Sequence, residues 1–435
     1  MRKAFTPLLL ITVMIMSMTV ACNSSAKKDN DTSEAEAKYV TVRDGKFYIG
    51  DSVYRFVGTN MWYAPILASQ GRGGDRERLA AELDTLNALG INNLRILVGA
   101  DGPEGRVAHI SPVLQTSPGV YDEQLLEGLD YLLCELERRD MKAVLYLNNA
   151  WEWSGGFSAY LEWAGAGEAK VPAVDGYKPY CDYVAQFTLN DSALAMYDRH
   201  VRTIVGRTNA LNGQPYAESP AIMSWQIANE PRAFSQQSKE AFEKWIRNTA
   251  ALIKEIDPNH LVSTGSEGLY GCEVDLDLWT RLHSDPNIDY ATIHIWPSNW
   301  GWTRNRTEED ALANSIAETD EYIRLHVDSI APYGRPLVIE EFGYPRDGWS
   351  TKIDAGITMR DRYFTHLLSH LTDSATVQGV NVWAWGGQAV PAHDEWQAGD
   401  DYMGDPAQEP QGLFSVMAAD STTLVILSAT ADKVK

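Results

Sequence analysis

The residues IMSWQIANEPRAFSQQSKEAFEKWIRNTAALIKEIDPNHLVSTGSEG, numbers 222 to 268, contain two apolar runs separated by a longer segment. The runs begin at Ile222 and Leu261 and have the length and composition of buried strands. The segment from Ser238 repeats apolar residues at helical spacing. A strand, a helix and a second strand in this order predict a βαβ unit with parallel strands.

The same alternation extends over most of the chain. The eight strand-like runs are VYRFVGTN from Val53, INNLRIL from Ile91, KAVLYLNN from Lys142, IMSWQIANE from Ile222, LVSTGSEG from Leu261, YATIHIWP from Tyr290, PLVIEEFG from Pro336 and GVNVWAWG from Gly379. Eight strand–helix repeats predict an α/β fold of the (β/α)8 TIM-barrel type. Long segments at residues 150–192 and 387–415 are predicted to form loops at its C-terminal face. A doubly wound sheet is the competing fold. It would usually place a Gly-rich phosphate turn after its first strand, and this chain has no such turn there.

The N-terminus is typical of an exported lipoprotein. Arg2 and Lys3 precede an apolar run, and the residues TVAC at 19–22 resemble a bacterial lipobox. We therefore predict a lipoprotein signal peptide over residues 1–22 with lipidation at Cys22, a flexible tether over 23–38 and one TIM-barrel catalytic domain over 39–435. A bacterial outer-membrane or cell-surface lipoprotein is expected. An ordinary signal peptide with secretion, or a membrane anchor, is the alternative.

The composition limits the partners of the chain. A net charge of −22 disfavours nucleic acid, because a phosphate backbone is normally bound by clustered Lys and Arg. Cys134, Cys181 and Cys272 show no CxxC spacing, so zinc or an extensive disulfide framework is not expected. Buried thiols are favoured over a single bridge. We expect a monomer that uses no metal and no organic cofactor.

Two strand ends carry carboxylates, and barrel enzymes place their reacting groups at such ends. The fourth run ends at Glu230, and the seventh contains Glu340 and Glu341. Hydrolysis of a glycosidic bond with retention needs an acid/base and a nucleophilic carboxylate about 5–5.5 Å apart. Adjacent strand residues face opposite sides, so the pattern alone does not choose between Glu340 and Glu341.

The charge of the nucleophile is predicted to raise the pKa of Glu230, because a nearby negative charge disfavours ionisation. A cation beside the nucleophile would keep that second carboxylate ionised. Arg95, on the second run, is the candidate for this cation. Its alternative role is an ion pair that braces the barrel.

These motifs resemble glycoside hydrolase family 5 β-mannanases. The segment WQIANEPR at 225–232 is similar to the family's WEL-x-NEPR, and EFG at 341–343 resembles its nucleophile motif. The resemblance implies that Glu230 is the acid/base and Glu341 the nucleophile. It also implies that Asn229 holds the sugar 2-hydroxyl and that Arg95 lies beneath the nucleophile.

The likeness spans residues 39 to 425 and implies further substrate contacts. LNNAW at 147–151 is similar to the family's VNNW, and GDPAQEPQG at 404–412 also belongs to the ordered set. The remaining substrate-binding candidates are Trp62, Asn149, Trp151, His294, Trp296 and Trp385. Trp385 matches the platform under the −1 sugar, whereas Trp383 is predicted to pack in the core. Trp296 stands where many relatives carry Tyr, and either donates to the nucleophile or stacks on sugar.

The resemblance thus implies retaining, endo-acting hydrolysis of β-1,4-mannosidic linkages in mannan, glucomannan or galactomannan. An endo-β-1,4-glucanase of the same family is the alternative, since the sugars differ in one hydroxyl orientation. A non-catalytic glycan-binding lipoprotein is the remote alternative. It would need the tryptophan-rich cleft but not both glutamates.

Overall fold

The computed structural model describes residues 38–435. The predicted signal peptide, Cys22 and residues 23–37 of the predicted tether lie outside the described residues. Among the described residues, no helix combines the length and the apolar character needed to cross a bilayer.

Eight parallel strands form a nearly closed barrel, as the sequence predicts. The strands are β1 (Phe56–Asn60), β2 (Asn93–Leu97), β3 (Lys142–Tyr146), β4 (Ile222–Gln226), β5 (Leu261–Ser263), β6 (Ala291–Ile295), β7 (Leu337–Phe342) and β8 (Val377–Val382). The outer helices are α1 (Arg76–Ala88), α2 (Glu123–Arg138), α3 (Asp191–Val205), α4 (Lys239–Ile256), α5 (Leu276–His283), α6 (Glu308–Ile330), α7 (Thr358–Asp373) and α8 (Ser421–Val434).

The strands are neighbours in chain order, and β8 pairs with β1. Among the described residues, β5 and β6 share no strand ladder, although they are adjacent in the chain. Two backbone hydrogen bonds join them instead, from Asp289 N to Val262 O at 2.9 Å and from His294 N to Glu267 O at 3.1 Å. The barrel therefore closes between β5 and β6, at residues that flank the candidate active site described below.

The helices form where one apolar face meets the sheet. In α4, Phe242, Trp245, Ile246 and Ile253 are buried at spacings of three, four and seven residues. Helix α2 begins after Asp122, whose carboxylate accepts hydrogen bonds from Gln124 N and Leu125 N. Burial of these faces gives one continuous core around the barrel.

A three-stranded antiparallel sheet covers the amino-terminal end of the barrel. Its strands are Val40–Arg43, Lys46–Ile49 and Ser52–Tyr54. Phe47 and Tyr54 pack with Phe56 and with residues near the starts of four barrel strands: Val144, Met223, Leu261 and Val338. The first predicted run, from Val53, is therefore divided between this sheet and β1.

Long segments surround the opposite, carboxyl-terminal end, as predicted. The segment after β3 contains the helices Gly156–Trp163, Pro172–Asp175 and Tyr177–Val184. After β8, the short strand Trp385–Gly387 pairs with Val416–Met417. Further elements are the helix Ala64–Ala68, the hairpin strands Gln115–Ser117 and Val120–Tyr121, and several short 3-10 helices.

The three cysteines of the described chain carry free thiols. Cys272 is buried, as favoured from the sequence, whereas Cys134 and Cys181 are half-buried. None of them lines the cleft described next.

Candidate active site

A cleft of about 500 Å³ opens at the carboxyl ends of the strands. Its walls include the tryptophans Trp151, Trp153, Trp296, Trp300 and Trp383 and the glutamates Glu152, Glu230, Glu267, Glu341 and Glu409. Indole planes stack on apolar C–H faces, and carboxylates accept hydrogen bonds from hydroxyls. This combination suits a polyhydroxylated ligand with apolar ring faces.

Glu230 and Glu341 meet in this cleft although 111 positions separate them, which is the difference between their residue numbers. One carboxylate oxygen of each, together with one nitrogen of His294, lies within 4.8 Å of the others. Both carboxylates are almost completely buried. The predicted juxtaposition of the two side chains is therefore present.

Glu340 lies on the barrel interior and does not line the cleft. Its Oε1 accepts hydrogen bonds from Gln226 Nε2 and, at 3.3 Å, from the hydroxyl of Tyr290. The register between β6 and β7 shifts by one residue here, so that His294 pairs with Glu341 and Glu340 is left over. The structure thus places Glu341, rather than Glu340, opposite Glu230.

The backbone at Glu230 has a φ of +48°, in the left-handed region that non-glycine residues seldom occupy. Hydrogen bonds from Glu230 N to Gly265 O at 3.0 Å and from Asn229 N to Asn148 O at 2.8 Å hold this conformation. Local backbone strain of this kind concentrates at functional sites. Here it directs the carboxylate into the cleft.

Arg95 is completely buried beneath Glu341. Its Nη1 donates to Glu341 Oε1 at 2.5 Å, and its Nη2 donates to Asn229 Oδ1 at 2.7 Å. Further bonds run to Gln226 and Asn60. The guanidinium therefore contacts Glu341 and also ties β2 to β4 and β7.

His294 lies between the two carboxylates. Its Nδ1 is 2.8 Å from Glu230 Oε1 and 3.3 Å from Glu341 Oε2. Burial alone would lower the pKa of the imidazole, but the two neighbouring negative charges outweigh burial and raise it to about 9.

The pKa of Glu230 shifts in the direction opposite to the predicted one. Burial favours a higher pKa for Glu230, but the hydrogen bond and the charge of His294 outweigh burial and lower that pKa. The expectation considered only the repulsion from Glu341 and omitted the imidazole placed between the two carboxylates. A proton on Nδ1 of His294 thus lies close to both Glu230 and Glu341, and the three groups are coupled.

Two indole N–H groups also point at the carboxylates. Trp151 Nε1 donates to Glu230 Oε2 at 2.5 Å, and Trp296 Nε1 donates to Glu341 Oε2 at 3.2 Å. Both rings line the cleft. Of the two roles considered for Trp296, hydrogen bonding to Glu341 is the one visible in this geometry.

The expected positions of Trp383 and Trp385 are reversed. Both rings are buried, but only Trp383 lines the cleft, whereas Nε1 of Trp385 donates to Glu82 at 3.2 Å in the core. Strand alternation gave no ground for separating the two residues, because side chains two positions apart face the same side. In addition, β8 ends at Val382, and the chain turns before a new short strand begins at Trp385. The alternation of side chains along β8 therefore does not extend to Trp385.

Two other predicted contact residues lie behind the cleft wall. Trp62 is buried against Trp153, with ring centroids 5.9 Å apart, and donates to Gly404 O. Asn149 Oδ1 accepts from Asn229 Nδ2 at 3.2 Å and from Trp151 N at 3.0 Å. These residues position side chains that reach the cleft and do not line it themselves.

Sequence reasoning gave no role to three further carboxylates in the cleft. Glu267, four residues beyond Ser263 at the end of β5, forms an ion pair with Arg232, and burial raises its pKa to about 7. Burial likewise raises the pKa of Glu152 to about 7. Glu409 accepts a hydrogen bond from Trp383 Nε1 at 3.4 Å. Glu267 and Glu409 occur in the segments LVSTGSEG and GDPAQEPQG quoted above. Their position in these segments could have indicated a role in the site.

A (β/α)8 barrel that sets two buried carboxylates across a tryptophan-lined cleft defines the chain as a glycoside hydrolase. A family model described as GH family 5 beta-mannosidase-like matches residues 37–435. The chain belongs to this family, which confirms the suspected family and the predicted fold.

Several plant proteins are similar in sequence. Mannan endo-1,4-beta-mannosidase 1 of Arabidopsis thaliana is 30% identical over 78% of this chain and 78% of its own length. Mannan endo-1,4-beta-mannosidase 4 of Oryza sativa is 28% identical over 66% of this chain, and the match spans 60% of the rice protein.

Solved structures show the same fold. A glycoside hydrolase family 5 mannosidase from Rhizomucor miehei superposes with a TM-score of 0.83 at 30% identity, over 92% of this chain and 98% of that one. Another structure of that mannosidase contains mannosyl-fructose. The endo-1,4-beta-mannanase of the same organism has a TM-score of 0.68 at 21% identity, over 91% and 98%, and shows the fold alone.

Proposed function

We propose that the chain is a retaining, endo-acting hydrolase of β-1,4-mannosidic linkages in mannan, glucomannan or galactomannan. The observation that carries the chemistry is the approach of Glu230 and Glu341 to within 4.8 Å, oxygen to oxygen, across the cleft. Inverting enzymes need about 6.5–9.5 Å between carboxyl groups to admit a water molecule, whereas retaining enzymes need about 5–5.5 Å. The spacing therefore supports a covalent intermediate.

In the proposed mechanism Glu341 is the nucleophile. Its carboxylate attacks the anomeric carbon, while Arg95 and Trp296 hold the two oxygens in place through the bonds described above. Glu230 protonates the leaving oxygen and then deprotonates the water that hydrolyses the glycosyl-enzyme. No step requires a metal or an organic cofactor.

The acid function belongs to Glu230 and His294 together. In the proposed mechanism a proton moves along the 2.8 Å hydrogen bond between Nδ1 and Oε1. Transfer along this bond gives protonated Glu230 and neutral His294 with no net uptake of a proton. Trp151 holds the other oxygen of Glu230 and leaves Oε1 as the atom that exchanges the proton.

The mannan preference is supported by the relatives named mannan endo-1,4-beta-mannosidase. Reducing-end release from β-mannan compared with carboxymethyl cellulose tests it. Turnover of mannan at least tenfold above that of cellulose supports the proposal, and the reverse order supports the endo-glucanase. The glycan-binding alternative predicts that the parent hydrolyses no glycan and that a Glu341→Gln variant still binds mannan.

A second candidate is a β-mannosidase that releases single mannose units from chain ends. The structural similarity to the Rhizomucor miehei mannosidase favours it, since that similarity has a TM-score of 0.83 at 30% identity. Early products from mannohexaose separate the two modes. Mannobiose, mannotriose and mannotetraose indicate endo cleavage, whereas mannose with mannopentaose indicates exo cleavage.

We also propose that the chain is a monomeric lipoprotein anchored through Cys22, on the bacterial outer membrane or cell surface. The support is the sequence of residues 1–38 alone, of which only residue 38 is described. Incorporation of labelled palmitate into the parent but not into a Cys22→Ser variant tests the anchor.

A further inference from the structure

Two histidines and an aspartate converge on the outer surface of the barrel, between α6 and α7. His366 Nε2 lies 2.7 Å and His370 Nε2 lies 2.8 Å from the same oxygen of Asp320. One donor atom from each residue lies within 4.8 Å of the others. None of the three residues lines the cleft.

The surrounding structure holds these donors in position. His366 and His370 are four residues apart in α7 and so share one helix face, while Asp320 belongs to α6. Directly beneath them, the buried hydroxyls of Thr319 and Tyr363 form a 2.8 Å hydrogen bond between the same two helices. The helices therefore have a fixed register at the cluster.

We propose that Asp320, His366 and His370 form a binding site for a divalent transition-metal ion of the zinc type. Two imidazole nitrogens and one carboxylate oxygen are ligands that Zn²⁺ accepts, with water completing the coordination. Tetrahedral zinc with bonds of about 2.0–2.1 Å spaces its ligand atoms roughly 3.3 Å apart. Asp320 has to withdraw by about 0.5 Å, and its side chain is 46% exposed and free to do so.

The proton balance of binding follows from the hydrogen bonds. Without the ion, an Nε2–H of either imidazole can donate to Asp320. When Nε2 coordinates the ion, that proton moves to Nδ1, so neutral histidines bind without net proton release. A ring nitrogen that holds a proton cannot coordinate a metal, so the ion and the Nε2 proton exclude each other.

An ordinary exposed ion pair elsewhere in the chain provides the matched control. His393 Nδ1 lies 2.9 Å from Asp400, but this pair offers a single imidazole. Two ligands of this kind bind zinc far more weakly than three fixed ones. His393→Gln therefore removes a surface histidine beside an aspartate without affecting the proposed site.

The experiment is a titration of the untagged, chelator-treated full chain with ZnCl₂ alone, followed by calorimetry and by the melting temperature. We expect one ion bound per chain and a rise in Tm, because the ion joins α6 to α7. His366→Gln, His370→Gln and Asp320→Asn should each weaken binding at least about tenfold. His393→Gln should bind like the parent.

Glycan hydrolysis, measured in parallel, shows that the variants are folded and where the metal sits. The three cluster variants should keep the parent's activity. The proposal is overturned if the parent shows no saturable binding up to millimolar ZnCl₂, or if the cluster variants bind as the parent does. Binding that persists in those variants and abolishes hydrolysis would place the ion at Glu230, His294 and Glu341.

Discussion

His294 Nδ1 lies 2.8 Å from Glu230 Oε1, so the acid/base candidate and its neighbour hold one proton between them. The pKa of His294 is raised to about 9, and that of Glu230 is lowered. The proton available to the leaving group is therefore retained well above the pH at which an isolated glutamic acid loses it. Both the pH dependence of activity and that of stability follow from this pair.

The first prediction concerns stability. The pKa of His294 rises from an ordinary 6.5 to about 9 on folding, so the folded protein binds this proton more tightly than the unfolded chain. The contribution is complete below pH 6.5 and is lost as the pH rises through about 9. Unfolding free energy from urea titrations should fall over this window by up to about 3 kcal/mol.

The matched comparison is between His294→Gln and His366→Gln. The first variant should show a flatter dependence of unfolding free energy on pH, whatever its absolute stability, whereas the second should keep the slope of the parent. Equal slopes in all three proteins would contradict the assignment of the shared proton to His294.

The second prediction separates the two glutamates by leaving group. Glu341→Gln should lower kcat by about 10³-fold or more on mannan and on activated aryl mannosides, because no glycosyl-enzyme forms. Glu230→Gln should cost about 10²–10⁴-fold on mannan but much less in glycosyl-enzyme formation from a dinitrophenyl mannoside, whose leaving group needs little protonation. Pre-steady-state release of dinitrophenol measures this step. A loss in Glu230→Gln that is equal for both substrates would argue against its acid role.

The third prediction concerns the buried guanidinium. Arg95→Met should reduce the unfolding free energy by about 3–5 kcal/mol, because Glu341 and Glu340 would remain buried without their cation. Arg138→Met removes an exposed ion pair with Glu135 and should leave the unfolding free energy close to that of the parent. Urea unfolding at pH 7 compares them. Similar losses in the two variants would show that Arg95 does not neutralise the pair.

The fourth prediction contrasts two tryptophans that are two positions apart. Trp383→Ala should lower kcat/KM on mannohexaose at least tenfold, since it removes a cleft wall. Trp385→Ala should keep the kcat/KM of the parent. Both substitutions should lower the unfolding free energy, Trp385→Ala by about 3–5 kcal/mol, because both rings are buried and their removal leaves a cavity. Kinetics and urea titration of both variants test this contrast. Loss of activity without loss of stability in Trp385→Ala would restore its predicted place in the cleft.

The barrel and the two glutamates could be predicted from the sequence because each depends on local signals. Buried parallel strands are continuous apolar runs, and strand ends converge by the rules of the fold. The NEPR and EFG segments then resolve the choice between Glu340 and Glu341, which alternation alone leaves open. In the structure that choice depends on a one-residue shift between β6 and β7.

The remaining features depend on contacts between distant segments. Nothing near His294 in the sequence indicates that it separates Glu230 from Glu341. Asn149 belongs to a recognised motif, but its side chain supports Asn229 from behind, a distinction that motif matching does not make. Trp383 lines the cleft because the chain turns after Val382, where periodicity gives no guidance.

The small antiparallel sheet of residues 40–54 seals the pole of the barrel opposite the cleft. The chain thus enters the domain at the far end from its mouth, and any surface to which residue 39 is linked would face the sealed pole. With a linkage of this kind, as in the proposed anchor, the mouth would remain unobstructed. A polymer too large to slip between protein and surface could still reach the two glutamates.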